Sequence, residues 1–461
     1  MTGTTIATRL AGWVSGLRYE HIPRAAVDTT KLLVLDQLGL QVNGATLPHV
    51  QPEIQLVEAM KAVPESTVAL SGARTAAPYA AFVNGTLAGS SEFDDVHMYA
   101  AHIGSHVVPP ALAFAETTGA SGREVITAIV AGAQVMSLLG GISVARMVGR
   151  GWHGSKILGT LGAAATAGKL LGLTPAQLAH ALAIAASDAG GGMEYEFSGG
   201  EVKRMHSGSA ARLGSQAALL AQRGLTGPLT IVEGTRGLLR LFAEGADPAG
   251  IEALWDRFHI TDTAFRMYPT IGSAATVLDG LRQLSDGDGD GLDWREITAI
   301  RLGLPRIAIG HGATVTHPRD AVSAQFSTAF GVGLMLVHGS NRPADYLNAD
   351  LLADPGIRRV VDLVQPYEAD FPPGSPVLSA RIDITLRDGR VLSHLQQGFR
   401  GHQDDPGRAA AVEAKFRDNV IGLLPARTAG ELVTTVDTLD RLDAAGRLIG
   451  LTVRRSDVAG D

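Results

Sequence analysis

The 461-residue chain has no cysteine. That excludes disulfides, thiolate-ligated metal sites and a cysteine nucleophile. Aromatic residues are scarce, at 5%, and charged residues make up only 18% against 45% apolar. This is the composition of a globular chain rather than a disordered one. Few bulky rings, with abundant alanine and 56 glycines, let helices approach closely and predict a helix-rich core with tight helix–helix contacts. The formal charge is −7 with no basic tract, so nucleic acid is not an expected partner. No uninterrupted run of about 18 apolar residues occurs, so no membrane span is expected. The N-terminus lacks a basic start followed by an apolar stretch. A secretory leader is therefore not expected, and the expected location is cytoplasmic. Several signatures are missing too. There is no dinucleotide fingerprint between a strand and a helix, no phosphate loop, no Gly-x-Ser-x-Gly elbow and no His-Glu-x-x-His. The expectation is an enzyme without a bound cofactor or metal.

The length exceeds one ordinary core and predicts two domains. Apolar residues recur at helical spacing over 4–18 (Ile6, Leu10, Trp13, Leu17) and 24–41, with Pro23 just before the second helix. Helices are also expected over 50–62 and 76–89, with a short extended piece from Ser66. From Val107 to Gly227 the pattern is nearly all helix. Pro109-Pro110 marks an element boundary. Ser121 and Glu124 form a capping box, and Thr174 caps the run from Pro175. Near residue 265 the character changes. Ile297–Leu304 reads as a strand and 320–338 as a helix. Residues 377–399 alternate like a hairpin with its turn at Asp388-Gly389. Residues 407–424 and 428–446 return to helix. The predicted fold class is mainly α with a smaller α+β domain: a large helical-bundle domain over 1–265, an α+β insert over 266–400, and returning helices over 401–461.

The densest chemistry lies between Glu92 and His106. Three acids (Glu92, Asp94, Asp95) and three histidines (His97, His102, His106) fall within one short polar island flanked by small apolar residues. Such groups are costly to bury unless paired, and crowding shifts their pKa values as acid–base catalysis requires. A solvated loop with accidental histidines is the plain alternative. With Asp94, the histidines could also supply metal ligands, but a hydrogen-bonded carboxylate–histidine cluster explains them as well. Four further segments collect reactive groups: Gly151–Lys156 with His153, Met193–Glu196, Glu201–Ala210 with Lys203, Arg204 and His206, and Phe265–Thr270 with Arg266 and Tyr268. The first and third precede helices, where an anion is favoured. Asp286, Asp288, Asp290 and Gly291 begin like a calcium loop, but the expected Glu falls one place early, at Glu296; a plain solvated turn is the preferred reading. Together these residues suggest an acid–base enzyme in which histidine is the base and Lys/Arg hold an anionic substrate.

These motifs, in this order, resemble the MmgE/PrpD family. Asp94-Asp95-Val96-His97 and His102-Ile103-Gly104-Ser105 match its Asp-Asp-Thr-His and His-Pro-x-Ser segments. Gly151-Trp152-His153 matches Gly-Phe-His, and Lys203–Gly208 matches Lys-Arg-x-His-x-Gly. Gly224–Pro228 and Glu233–Gly237 match two later glycine motifs. The departures include Val96 for Thr, Ile103 for Pro, Arg266 for Lys, Gln325 for Lys and Phe330 for Tyr. The resemblance implies a helical domain with an α+β lid, a homodimer, and an active site between the domains. It implies a lyase, of dehydratase type first, that removes a proton α to a carboxylate in a small di- or tricarboxylic acid. Decarboxylase, epimerase and non-catalytic carboxylate-binding roles are the alternatives. The expected catalytic residues are His102, His153, Lys203 and Asp94. The expected substrate-binding residues are Arg204, Arg266, His97 and Tyr268, with no cofactor and no metal.

Overall fold

Residues 4–195, 199–287, 292–309, 312–313, 315–376 and 378–454 are described by a computed structural model. The chain forms two compact units, one from Met1–Ala264 with Val412–Asp461 and the other from Phe265–Ala411.

The first unit is built from α1 (Ile6–Gly16), α2 (Arg24–Gly44), α3 (Gln51–Met60), α4 (Ala77–Gly89), α5 (Gly104–Thr118), α6 (Gly122–Gly149), α7 (Gly154–Leu170), α8 (Pro175–Asp188) and α9 (His206–Gln222). Several starts are set by local chemistry. Thr5 accepts from the Thr8 amide, and the Ser121/Glu124 and Thr174/Gln177 capping boxes both form. Helix α6 is long and apolar enough by composition to cross a membrane, yet 89% of its most apolar window is buried inside the protein. It is the core helix of this unit, against which α7 packs. Small residues permit the close approach. A side chain at Gly85 of α4 would begin 2.9 Å from Gly208 of α9 and 3.1 Å from the Ser105 carbonyl of α5. Three helices that carry or flank candidate residues therefore meet backbone to backbone.

Pro109 and Pro110 do not bound an element. Both lie inside α5. They remove two helical donors, so the carbonyls one turn earlier, on Ser105 and His106, lack their usual partners. The C-terminal helices Arg408–Val420 and Ala426–Asp437 supply a second anchor. Lys415, buried, lies 2.7 Å from Asp36 of α2 and donates to the Phe93 carbonyl. Its ammonium also sits 4.1 Å from the Phe93 ring centre. The end of the chain thus holds the backbone one residue before Asp94.

The second unit contains α10 (Gly272–Gly287) and a sheet of β1 (Ile297–Leu304), β2 (Val364–Glu368), β3 (Ala380–Leu386) and β4 (Val391–Gln396). The strand order is β2-β1-β3-β4, with β1 and β2 parallel and the other pairs antiparallel. Ile300 faces Ile384, and Leu302 faces Ile382; all four are buried, as the alternation requires. The hairpin turns at Asp388-Gly389, where Gly389 has φ +88°. The helix expected over 320–338 is broken into Ala321–Gln325, Thr328–Gly333 and a wider turn, Leu334–His338. Ser327 takes an extended conformation and caps the Phe330 amide at 3.0 Å, which ends one piece and starts the next. Asp288, Asp290 and Gly291 of the calcium-like stretch, Val377 at the start of the hairpin reading and Glu196 lie outside the described residues.

Candidate active site

The polar island is a tight turn held by its own side chains. His97 and Ala101 exchange backbone hydrogen bonds of 2.7 and 2.8 Å. Glu92 and Ala101 adopt left-handed backbone angles, φ +54° and +60°, which cost non-glycine residues energy and cluster at functional sites. The His97 ring staples this turn. Its Nδ1 accepts the Tyr99 and Ala100 amides, both at 3.2 Å, and its Nε2 donates to the His259 carbonyl at 2.9 Å. Both nitrogens are committed to backbone, and burial pulls the ring's pKa down to about 4.

Asp95 has a comparable task. Its carboxylate accepts the Ile103 amide at 2.7 Å and the Gly104 amide at 2.8 Å, fixing the start of α5. Burial, then the neighbouring Asp94 charge, pushes its carboxyl up to about 6. A side chain at Gly104 would begin 2.6 Å from Asp95 Oδ1 and 2.6 Å from Gln37 Nε2, and would displace the carboxylate that fixes this turn.

His102 is placed differently. Its side chain is 19% exposed, whereas His97 and His106 are 2% and 0% exposed; of the three island histidines, His102 is the one a solute can reach. Its Nδ1 lies 2.7 Å from the Asp95 carbonyl and 3.6 Å from Asp94 Oδ1. With the Nδ1 hydrogen donated to that carbonyl, Nε2 carries the lone pair. Asp94 is itself held, with Ser105 Oγ 2.9 Å from its Oδ2 and Ser207 Oγ 3.1 Å further on. These two hydroxyls join the island to the segment that starts α9. His106 is enclosed. Burial, then the His102 charge, draws its pKa to about 3, and its Nε2 has no hydrogen-bond partner among the described residues.

The second group of residues comes from the starts of α7 and α9. His153 Nδ1 lies 2.7 Å from His206 Nδ1, and His153 Nε2 lies 3.1 Å from Ser155 Oγ. Burial, then the facing His206, holds the His153 pKa well below its ordinary value. Burial, then Lys156 and Lys203, holds that of His206 at about 3. The Tyr195 ring stands edge-on to both imidazoles, at 6.0 and 5.8 Å. Lys203 is paired with Glu92, and both side chains are nearly buried. Arg204 spends its guanidinium on Glu201 and the Ser90 carbonyl, and so anchors the entry to α9.

Arg266 and Tyr268 belong to the second unit. Arg266 is buried and donates to the Thr270 carbonyl at 3.2 Å. The Tyr268 hydroxyl donates to Asp279 Oδ1 at 2.8 Å and receives Arg400 Nη2 at 3.1 Å. Burial, then the Asp279 charge, raises the phenol's pKa far above its ordinary value, so it stays protonated.

Within the first unit, hydroxyl contacts, a ring pair and an ion pair link Asp94, His153 and Lys203 to groups the sequence reading noted but gave no role: Ser105 and Ser207, His206, and Glu92. His206 stands in the same motif as Lys203, and that motif was its available signal. Among the described residues no group of three or more His, Asp or Glu side chains could hold a metal ion. Two surface cavities, of about 320 and 390 Å³, are lined by none of these histidines.

Residues 8–250 match the MmgE/PrpD N-terminal domain, and residues 268–441 match the MmgE/PrpD C-terminal domain. The chain belongs to the MmgE/PrpD family. It is 27% identical over 453 residues to cis-aconitate decarboxylase of Mus musculus, covering 95% of this chain and 91% of that protein. It is 28% identical over 454 residues to cis-aconitate decarboxylase of Homo sapiens, covering 95% and 92%. It is 26% identical over 463 residues to cis-aconitate decarboxylase of Aspergillus terreus (strain NIH 2624 / FGSC A1156), covering 95% and 94%.

Proposed function

We propose that this protein is a cofactor-independent lyase that moves a proton at the carbon next to a carboxylate in a small di- or tricarboxylic acid, with cis-aconitate the first substrate to test. The observation that carries this reading is His102. Its Nδ1 is pinned to the Asp95 carbonyl, its Nε2 is left basic, and Asp94 stands 3.6 Å away. The relatives' activity supplies the substrate, and the residues supply the proton chemistry. In decarboxylation the bond to one carboxylate breaks, CO₂ leaves, and the electron pair stays on the carbon skeleton, spread onto a neighbouring carboxylate. Lys203 stabilises that charge. His102, protonated from solvent, then delivers one proton to carbon, and an unsaturated dicarboxylate results. Asp94, 3.6 Å from Nδ1, orients the ring.

Dehydration and epimerisation start from the same proton transfer in reverse, with His102 as base. A dehydratase would need a second acid for the departing hydroxide, and His153 is the group for it. Phe330, where the family carries a tyrosine, removes one phenol from the acids available and keeps the epimerase reading in view. We also propose, on the family resemblance alone, that the protein works as a homodimer.

The test is a panel of purified substrates: cis-aconitate, hydroxytricarboxylates and amino dicarboxylates, followed for CO₂ release, water loss and change of configuration. CO₂ release from cis-aconitate is the expected result. Water loss from a hydroxy acid would move the assignment to a dehydratase, and inversion without either would move it to an epimerase. No reaction with any of them would remove the enzyme reading.

A further inference from the structure

The chain has six lysines, and one of them stands apart. Lys61 is exposed to solvent. Lys31, Lys203 and Lys415 are each paired with a carboxylate, on Asp440, Glu92 and Asp36. Lys169 donates to the Ser15 and Leu17 carbonyls at 2.9 and 2.6 Å. Lys156 is half-buried, and among the described residues no ion pair or side-chain hydrogen bond satisfies its ammonium. A cation partly withdrawn from water with no counter-charge is unfavourable unless something else supplies one.

Its position says what that could be. Lys156 lies in the first turn of α7, and its amide bonds to the His153 carbonyl at 3.1 Å. A side chain at Gly191 would begin 2.7 Å from Lys156 Cδ, 3.5 Å from its Nζ and 3.5 Å from His206 Cε1. The ammonium and the His206 ring therefore flank one point. Gly191 has φ +134°, a backbone that other residues rarely adopt, and its carbonyl accepts the His153 amide at 2.9 Å. Arg212, on α9, is half-buried and makes no ion pair among the described residues; its guanidinium bonds only to Gln216, at 3.0 Å, and lies over the Phe82 ring. Burial, then the Arg212 charge, lowers the Lys156 pKa, which places the two cations in each other's field.

We infer that Lys156 binds a substrate carboxylate remote from the reacting carbon, and so selects polycarboxylates over monocarboxylates. This rests on the carboxylate-lyase reading above and adds to it the residue that senses the second or third carboxylate. Lys203 already has Glu92 beside it, whereas the Lys156 ammonium has no counter-charge among the described residues.

The test uses propane-1,2,3-tricarboxylate, which has neither a double bond nor a leaving group, so binding is read without turnover. Calorimetric titration of the full chain is compared for wild type, K156Q and K156R, with propionate as the monocarboxylate control. The account expects K156Q to bind the tricarboxylate about tenfold more weakly or worse, the scale of a lost charge-assisted hydrogen bond. K156R should stay within about threefold, since it keeps the charge, and propionate binding should be equal in all three. With a turned-over substrate, K156Q should raise KM more than it lowers kcat. Equal tricarboxylate affinity in wild type and K156Q overturns the inference, as does a wild type that binds no tricarboxylate. The lyase reading is judged separately, by whether the wild type transforms any carboxylic acid. An active wild type with an unaffected K156Q would leave that reading standing and remove this one.

Discussion

His153 and His206 meet nitrogen to nitrogen, with their Nδ1 atoms 2.7 Å apart. Two N–H groups cannot face each other at that distance, so one Nδ1 donates and the other accepts. A single hydrogen thereby fixes the tautomer of both rings. Burial keeps both neutral at pH 7. His206 acts here as a positioning residue for His153. We expect H206L to lower kcat/KM by roughly tenfold to a hundredfold. The acid limb of its pH profile should move upward: burial still depresses the His153 pKa, but the facing ring's added depression is gone. H206N, whose amide can still donate and accept, should recover part of the loss. A fall in activity with an unmoved acid limb would contradict the positioning role.

Lys203 and Glu92 form a nearly buried pair, and Glu92 holds a left-handed backbone to reach it. Removing one partner leaves the other charge buried and unpaired, which costs about 3–5 kcal/mol where burial is complete. We expect K203M and E92Q each to lower the free energy of unfolding in urea, and the K203M/E92Q double variant to lose less than the sum. A coupling energy near zero in that cycle would show that the two charges do not depend on each other.

Much of the scaffold was legible because its cues are local. Ser121 and Thr174 cap helices through residues three positions away. The alternation across Ile382 and Ile384 fixes which face of β3 is buried. Pro109-Pro110 misled, because proline next to a helix start and proline inside one look alike until the partners of the freed carbonyls are known. The break at Ser327 was hidden for a similar reason: its cap depends on an extended backbone that periodicity does not reveal. In the site, the crowding of acids and histidines pointed to the right stretch but could not rank its members. His97 and Asp95 turn out to hold backbone, and His102 alone of the island histidines stays accessible. His206 could not be paired with His153 from sequence, since 53 residues separate them and only the meeting of α7 and α9 brings their rings together.

The buried histidines also set a pH dependence of stability. His97, His106, His153 and His206 all have folded pKa values below the ordinary value of about 6.5. As pH falls below that value the unfolded chain takes up protons first, so stability is complete above about pH 6.5 and is lost below it. Asp95 works the other way. Its raised carboxyl contributes stability present below about pH 4 and lost as pH rises through about 6, but more histidines than carboxyls are shifted by burial in this way. The thermal midpoint should therefore fall between pH 7 and pH 5. H97N, which cannot take up that proton, should flatten the slope by up to about 1.4 kcal/mol per pH unit. An unchanged slope would mean that His97 titrates normally in the fold.

The central claim is that His102 transfers a proton at the carbon next to a substrate carboxylate, and proton NMR in D₂O with cis-aconitate tests it most directly. The account predicts that the wild type forms CO₂ and a product carrying one deuterium on the carbon that gained the proton. H102Q should slow this by roughly a hundredfold or more while keeping its thermal midpoint. A wild type that neither converts cis-aconitate nor exchanges a carbon-bound proton of any di- or tricarboxylate, or an H102Q variant as active as the wild type, would contradict it.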